Sequence, residues 1–206
     1  MYLERLSDKV WLTRNARFTA AKRMKRSRVS STAAVAMLSA SVIAINLLAF
    51  LDESNFDMKI VTVGSIILSI FSFLLSLLIM QLRYEWREDN YNQCGMALEE
   101  LNQKIRIQID ELSHENMGKE EIVSPREENL KFLGEYTQII QRYNLNHTKF
   151  DLNYGRLTDN KLKLSWWEET GLYIQYYLFD VYLIYWLVAL VPVICTVCAF
   201  LFRVKG

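Results

Sequence analysis

The sequence predicts an all-α membrane protein, and three observations carry that prediction. Residues 29–51 and 60–82 form two apolar runs without a single charge. Each exceeds the roughly 20 residues that cross a bilayer core of about 30 Å. Only two prolines and seven glycines occur in 206 residues, which favours long helices over tight turns. Charge is also unevenly placed. The chain as a whole holds 24 basic and 23 acidic residues, but residues 1–28 hold nine Lys/Arg against two acids, and residues 83–175 twelve against seventeen. Such asymmetry points to contact with a membrane or a nucleic acid at the basic end.

Residues 1–28 read as a basic amphipathic cytoplasmic helix. Residues 29–82 follow as a two-helix transmembrane hairpin, its spans joined by the acidic loop "DESNFDMK". The first apolar run starts too far from the N-terminus for a signal peptide and lacks a small-residue cleavage pattern. Basic residues flanking a span are held on the cytoplasmic side. Those of 11–28, with Arg83 and Arg87, therefore place both ends of the hairpin in the cytoplasm.

Residues 83–175 are expected to form a cytoplasmic helical hairpin and loop. Tyr84, Tyr91, Cys94, Leu98, Leu101, Ile105 and Leu112 fall at heptad positions, so the second span is expected to continue unbroken to about residue 116, with Gly95 as its kink. "GKEEIVSPRE" then breaks the helix. Ser124 is placed to cap the next one, with Pro125 at its first position and Glu127 closing a capping box. Leu130, Leu133, Tyr136, Ile140 and Tyr143 give that helix its apolar face, and 144–160 reads as loop.

A third apolar run, 176–202, predicts a third C-terminal transmembrane helix. Trp166, Trp167 and Tyr173 precede it as interfacial residues, and Asp180 lies about one turn inside. A third crossing leaves Arg203 and Lys205 outside, against the positive-inside tendency. Nine basic residues at the first span outweigh those two, although a re-entrant helix bent at Pro192 is the alternative.

No catalytic constellation is present: no Gly-rich phosphate loop, no G-x-S-x-G and no H-E-x-x-H. Cys195 and Cys198 lie in an apolar run without the further ligands a zinc site needs. Cys94 and His147 lack a third group to make them a nucleophilic pair. The chain is therefore expected to be no enzyme, and to need no metal and no cofactor.

The membrane helices offer a weakly polar stripe. Ser65, Ser69, Ser72 and Ser76 share one face of the second span, and Thr32, Ser39 and Asn46 recur every seven residues in the first. Such residues either let membrane helices pack closely or line a water-filled path, and a path needs several subunits. The basic residues Arg14, Arg17, Lys22, Arg23, Lys25, Arg26 and Arg28, mixed with Trp11 and Phe18, suit either anionic lipid or a nucleotide ligand.

The stretches "WLTRNARFTAAKRMKR", "YEWREDNYNQCGMALEELNQKI" and "YTQIIQRYNLNHTKFD", arranged around a membrane hairpin, resemble the SLATT membrane proteins of bacteria and archaea. The resemblance covers much of residues 1–151. It implies an anti-phage effector that forms oligomeric membrane pores. With the orientation read from the basic flank and the need for several subunits, the expectation is a gated homo-oligomeric pore, tetrameric or larger, in the inner (cytoplasmic) membrane with its N-terminus cytoplasmic. The resemblance also implies control by a nucleotide or oligonucleotide from a neighbouring nucleotidyltransferase or reverse transcriptase. Trp11, Arg14, Arg17, Lys22 and Arg23 match the N-terminal motif, Tyr91, Cys94, Leu98 and Leu101 the helix after the hairpin, and Asn146, His147 and Asp151 the later loop. A third span departs from the two-span pattern. A non-conducting membrane anchor or scaffold that recruits a soluble partner is the alternative.

Overall fold

Alternating steps of three and four residues separate the buried positions of the long helices, the spacing that keeps one stripe of a helix against its neighbours. The computed structural model describes residues 2–51, 58–115, 125–146, 148–157, 165–174, 185–187, 190 and 194. All its regular elements are helical: α1 (Tyr2–Leu51), α2 (Met58–Gln81), α3 (Tyr84–Glu115), α4 (Pro125–Tyr143), α5 (Lys149–Leu157) and α6 (Trp166–Ile174). No strand occurs among the described residues. Two stretches, within Tyr2–Leu47 and Val61–Ser113, are long and apolar enough to cross a membrane. The chain divides into two compact units, Met1–Met24 with Trp86–Thr170, and Lys25–Glu85 with Gly171–Gly206.

The first unit has a core of the kind that water drives. Leu3, Leu6 and Val10 of α1 pack with Cys94, Leu98, Leu101 and Ile105 of α3. Against them lie Phe132, Leu133, Tyr136, Ile139, Ile140 and Tyr143 of α4. Burying a leucine-sized side chain contributes about 1.5–3 kcal/mol, so this cluster is what holds the bundle together. The face expected of α4 is present except at Leu130, which is 60% exposed, while Phe132 and Ile139 take part instead. Neither the basic composition of α1 nor its nearness to a span suggested that its first turns belong to this core.

Two glycines mark where helices approach closely. A Cβ on Gly95 would stand 2.8 Å from Phe18 Cε1, so α3 meets α1 at a notch where a kink had been expected. On Gly155 it would stand 3.2 Å from the backbone carbon of Asn15, which sets α5 against α1. The stretch expected to be loop, 144–160, thus contains a helix. Asn144 ends α4 in the left-handed region (φ 40°), its N–H donating to the Ile140 carbonyl.

In the second unit the helical hairpin is inverted in polarity. Val63, Ile66, Ile67, Ile70, Phe71, Phe73, Leu74, Leu77 and Leu78 are exposed, while Ser65 and Ser72 are buried. Small residues let two membrane helices approach, which explains serines inside and large side chains outside. The expected unbroken run from the second span into α3 is not found. The chain turns at Leu82 and Arg83, and Arg83 takes a left-handed conformation (φ 48°) rare for a residue with a Cβ. The 52–57 loop, Ser124, Asp180, Pro192, Cys195, Cys198 and most of the third apolar run lie outside the described residues.

Candidate functional site

The most densely bonded polar cluster of the first unit is built on α5. Thr148 caps that helix: its hydroxyl accepts from the Asp151 N–H (3.2 Å), while an Asp151 carboxylate oxygen accepts from the Thr148 N–H (3.0 Å) and hydroxyl (2.8 Å). This is a reciprocal capping box written in the sequence as T-x-x-D. Asp151 is fully buried and also takes a two-pronged contact from Arg23, whose Nε and Nη2 each lie 3.0 Å from a carboxylate oxygen. A planar guanidinium matches a carboxylate in this way, and four donors satisfy the buried charge. Tyr91 holds the preceding connector, its hydroxyl donating to the Asn146 carbonyl (2.7 Å).

Arg17 lies in the same unit, 2% exposed, with its guanidinium 5.8 Å from the Tyr91 ring centroid. Its Nε and Nη1 are buried with no hydrogen-bond partner. Burial raises the Tyr91 phenol above its usual range, against the opposing effect of Arg17. Burial likewise raises the Cys94 thiol, although the charge of Arg17 and a side-chain hydrogen bond from it act the other way. Cys94 therefore stays a neutral thiol at physiological pH, which suits a core residue better than a nucleophile. His147 lies outside the described residues.

Of the other basic candidates, Arg14 forms an ion pair with Glu99 and also bonds Asn15 Oδ1 (3.0 and 2.8 Å). Burial acts to raise the Glu99 carboxyl, but the Arg14 hydrogen bond and charge, with Gln103 and Arg106, outweigh it and hold it below the usual carboxylate range. Lys22 and Lys25 are exposed, and Arg26 is half-buried. In the second unit, Arg28 pairs with Glu85 at 3.2 Å. The structure thus pairs Arg23 with Asp151, sets Arg17 beside the Tyr91 ring, and commits Arg14 and Arg28 to other carboxylates.

The seven candidate pore residues divide. The Ser39 and Ser72 hydroxyls meet at 3.2 Å, and buried Ser65 bonds the Thr62 carbonyl. Ser69, Ser76, Thr32 and Asn46 face outwards. Three of these satisfy a donor locally, Ser69 on the Ser65 carbonyl, Thr32 on Arg28 and Asn46 on Val42.

A family model described as the SMODS and SLOG-associating 2TM effector domain family 5 matches residues 1–198. The chain belongs to that family. It is a SLATT membrane effector domain, in a family of defence effectors rather than of known enzymes, and the family name ties its members to SMODS nucleotidyltransferases and SLOG sensors. No curated protein and no solved structure matches the chain. Two features of this SLATT chain escaped sequence reasoning, though each had a signal. Leu3, Leu6 and Val10 carry the three-four spacing of a core stripe, and Thr148-x-x-Asp151 is a capping box. The Arg23–Asp151 pair had none, because 128 positions separate its partners.

Proposed function

We propose that this membrane effector acts in anti-phage defence as a homo-oligomeric gated pore of the inner membrane. A nucleotide or oligonucleotide signal controls it, and its N-terminus is cytoplasmic. The observation that carries the reading is the outward surface of α2, where Ser69 and Ser76 stand exposed among large apolar side chains. One hairpin cannot enclose a path for ions. Outward-facing hydroxyls on a surface otherwise suited to lipid are best used when several copies turn them toward a common axis. A tetramer or larger ring meets that need. Ser65 and Ser72 instead help the hairpin close on itself, so the lining falls to Ser69 and Ser76, with Thr32 and Asn46 of α1.

Gating requires that the signal bind open and closed states with different affinity. The basic segment of α1 is the proposed receiver. Dye leakage from liposomes carrying the purified chain, with and without linear oligonucleotides and cyclic dinucleotides, tests the whole reading. Signal-dependent leakage is expected, and Ser69→Leu with Ser76→Leu should reduce it to background while cross-linked oligomers persist. Unchanged leakage removes these serines from the lining. Liposomes that stay tight under every condition favour a non-conducting anchor or scaffold.

A further inference from the structure

We propose that Leu82 and Arg83 form a two-state joint, a break between α2 and α3 that the second unit keeps interrupted and that closes into one continuous helix when two side-chain ties are released. For its use the joint rests on the gated reading above, to which it adds the bistable element that gating needs.

Two residues with a Cβ take the left-handed region among the described residues, Arg83 (φ 48°) and Asn144 (φ 40°). Asparagine tolerates that region, and an irregular connector follows it. Arginine does not, and the chain is helical again at Tyr84. The local sequence offers no cause for a break. Residues 79–88, "IMQLRYEWRE", contain no Gly, Pro, Asn, Asp or Ser, and their Met, Gln, Leu, Arg and Glu are strong helix formers. A conformation that its own residues disfavour persists only where the surroundings impose it, and such positions recur in switching segments.

Both residues that follow the break are tied within the second unit. The Tyr84 and Tyr185 hydroxyls share a hydrogen bond, and the Glu85 carboxylate pairs with Arg28 Nη1 at 3.2 Å. At the break, the Leu82 N–H donates to the Leu78 and Ile79 carbonyls (both 3.2 Å) and the Arg83 N–H to the Met80 carbonyl (3.3 Å), a tightened last turn of α2. Returning Arg83 to the right-handed region carries the helical ladder on through Tyr84, Glu85 and Trp86, whose N–H groups otherwise open a helix without backbone acceptors. The same rotation re-aims the Tyr84 and Glu85 side chains relative to α2, so the continuous helix and the two ties exclude each other. The Glu85 side chain is 75% exposed, and an ion pair so open to water is weak. Weak ties set against a disfavoured residue leave the two states close in free energy.

The test is amide hydrogen exchange of the full chain in nanodiscs, read at Tyr84, Glu85 and Trp86, with Leu98 to Ile105 as the check that the protein is folded. In the wild type, protection at 84–86 is expected to be at least roughly tenfold lower than at 98–105. Equal protection overturns the break. Tyr84→Phe with Glu85→Gln should raise protection at 84–86 and leave 98–105 unchanged. Adding Arg83→Gly, which suits the left-handed region, should restore the wild-type value. No rise in the double variant, or a rise that Arg83→Gly leaves in place, overturns the joint. Should the double variant fail to fold, Arg83→Ile serves, because a β-branched residue disfavours the left-handed region while both ties remain. A rise is expected there too, and unchanged protection overturns the joint. Dye leakage from liposomes separates the joint from the pore, with Arg83→Gly and Arg83→Ile expected to shift signal-dependent leakage in opposite directions. Equal leakage with altered exchange refutes the joint as a gate. Liposomes tight in every variant, with exchange altered as expected, refute the pore and uphold the joint.

Discussion

The two units solve opposite problems with one helical alphabet. In the first, apolar side chains are inside, and several polar side chains bond to partners far along the chain: Ser7 with Asn102, Arg14 with Glu99, Arg23 with Asp151. In the second, large apolar side chains are outside, and the hydroxyls mostly bond the preceding turn of their own helix: Ser31 to Arg28, Ser41 to Met37, Ser69 to Ser65. Water explains the first arrangement, since it rewards burial of apolar area and screens surface charge. Lipid explains the second, since it offers no partner to a polar group and no reward for hiding a leucine. One helix, α1, carries a three-four stripe through both, from Leu3, Leu6 and Val10 to Ser31, Ala34 and Leu38.

The strongest way to break the comparison is to remove a long-range polar partner from the first unit. Asp151→Ala leaves Arg23 uncompensated and the α5 cap unmade, and should cost about 3–5 kcal/mol in denaturant unfolding. A cost below about 1 kcal/mol would mean that the pair is not buried in solution. Next comes the leucine contrast. Leu98→Ala in the core should cost about 2–5 kcal/mol. The same change at Leu74, 52% exposed on α2, should cost under about 1 kcal/mol in the bilayer. Equal losses would refute the difference in solvent.

A smaller effect tests the notch at Gly95. Alanine there gains about 1 kcal/mol of helix propensity. The gain is offset by about 1–3 kcal/mol of overpacking against Phe18. Gly95→Ala should therefore destabilise the wild type and stabilise a Phe18→Ala background, and the same sign in both would remove the contact.

The smallest effect is acidic. The Glu99 carboxyl is depressed when folded, so its contribution is complete above the ordinary glutamate value of about 4.3 and fades as pH falls through the lower folded value. Arg14→Gln should flatten stability against pH in that window, as read by thermal melts. Because Glu99 is over a third exposed, solvent screening keeps the effect slight.

Much of this was legible in the residues. Two uncharged runs announced the hairpin, Tyr91, Cys94, Leu98, Leu101 and Ile105 announced the α3 stripe, and Pro125 announced the start of α4. The break at Arg83 was hidden because arginine rarely adopts a positive φ, and no local pattern marks such a turn. α5 was hidden by length: nine residues show too little periodicity to stand out from a loop rich in asparagine.

The basic segment shows the division most clearly. Membership of the membrane class and the presence of a cationic stretch are properties of hydropathy and charge summed along the chain, and summation needs no fold. Which of those cations is neutralised depends on carboxylates 85 and 128 positions away, brought within reach of Arg14 and Arg23 only when α3 and α5 pack on α1. Arg17, identical in composition to its neighbours, is left with an aromatic ring and a thiol. Electrostatic partnership falls off over a few ångströms of space, and spacing along the chain does not encode that distance.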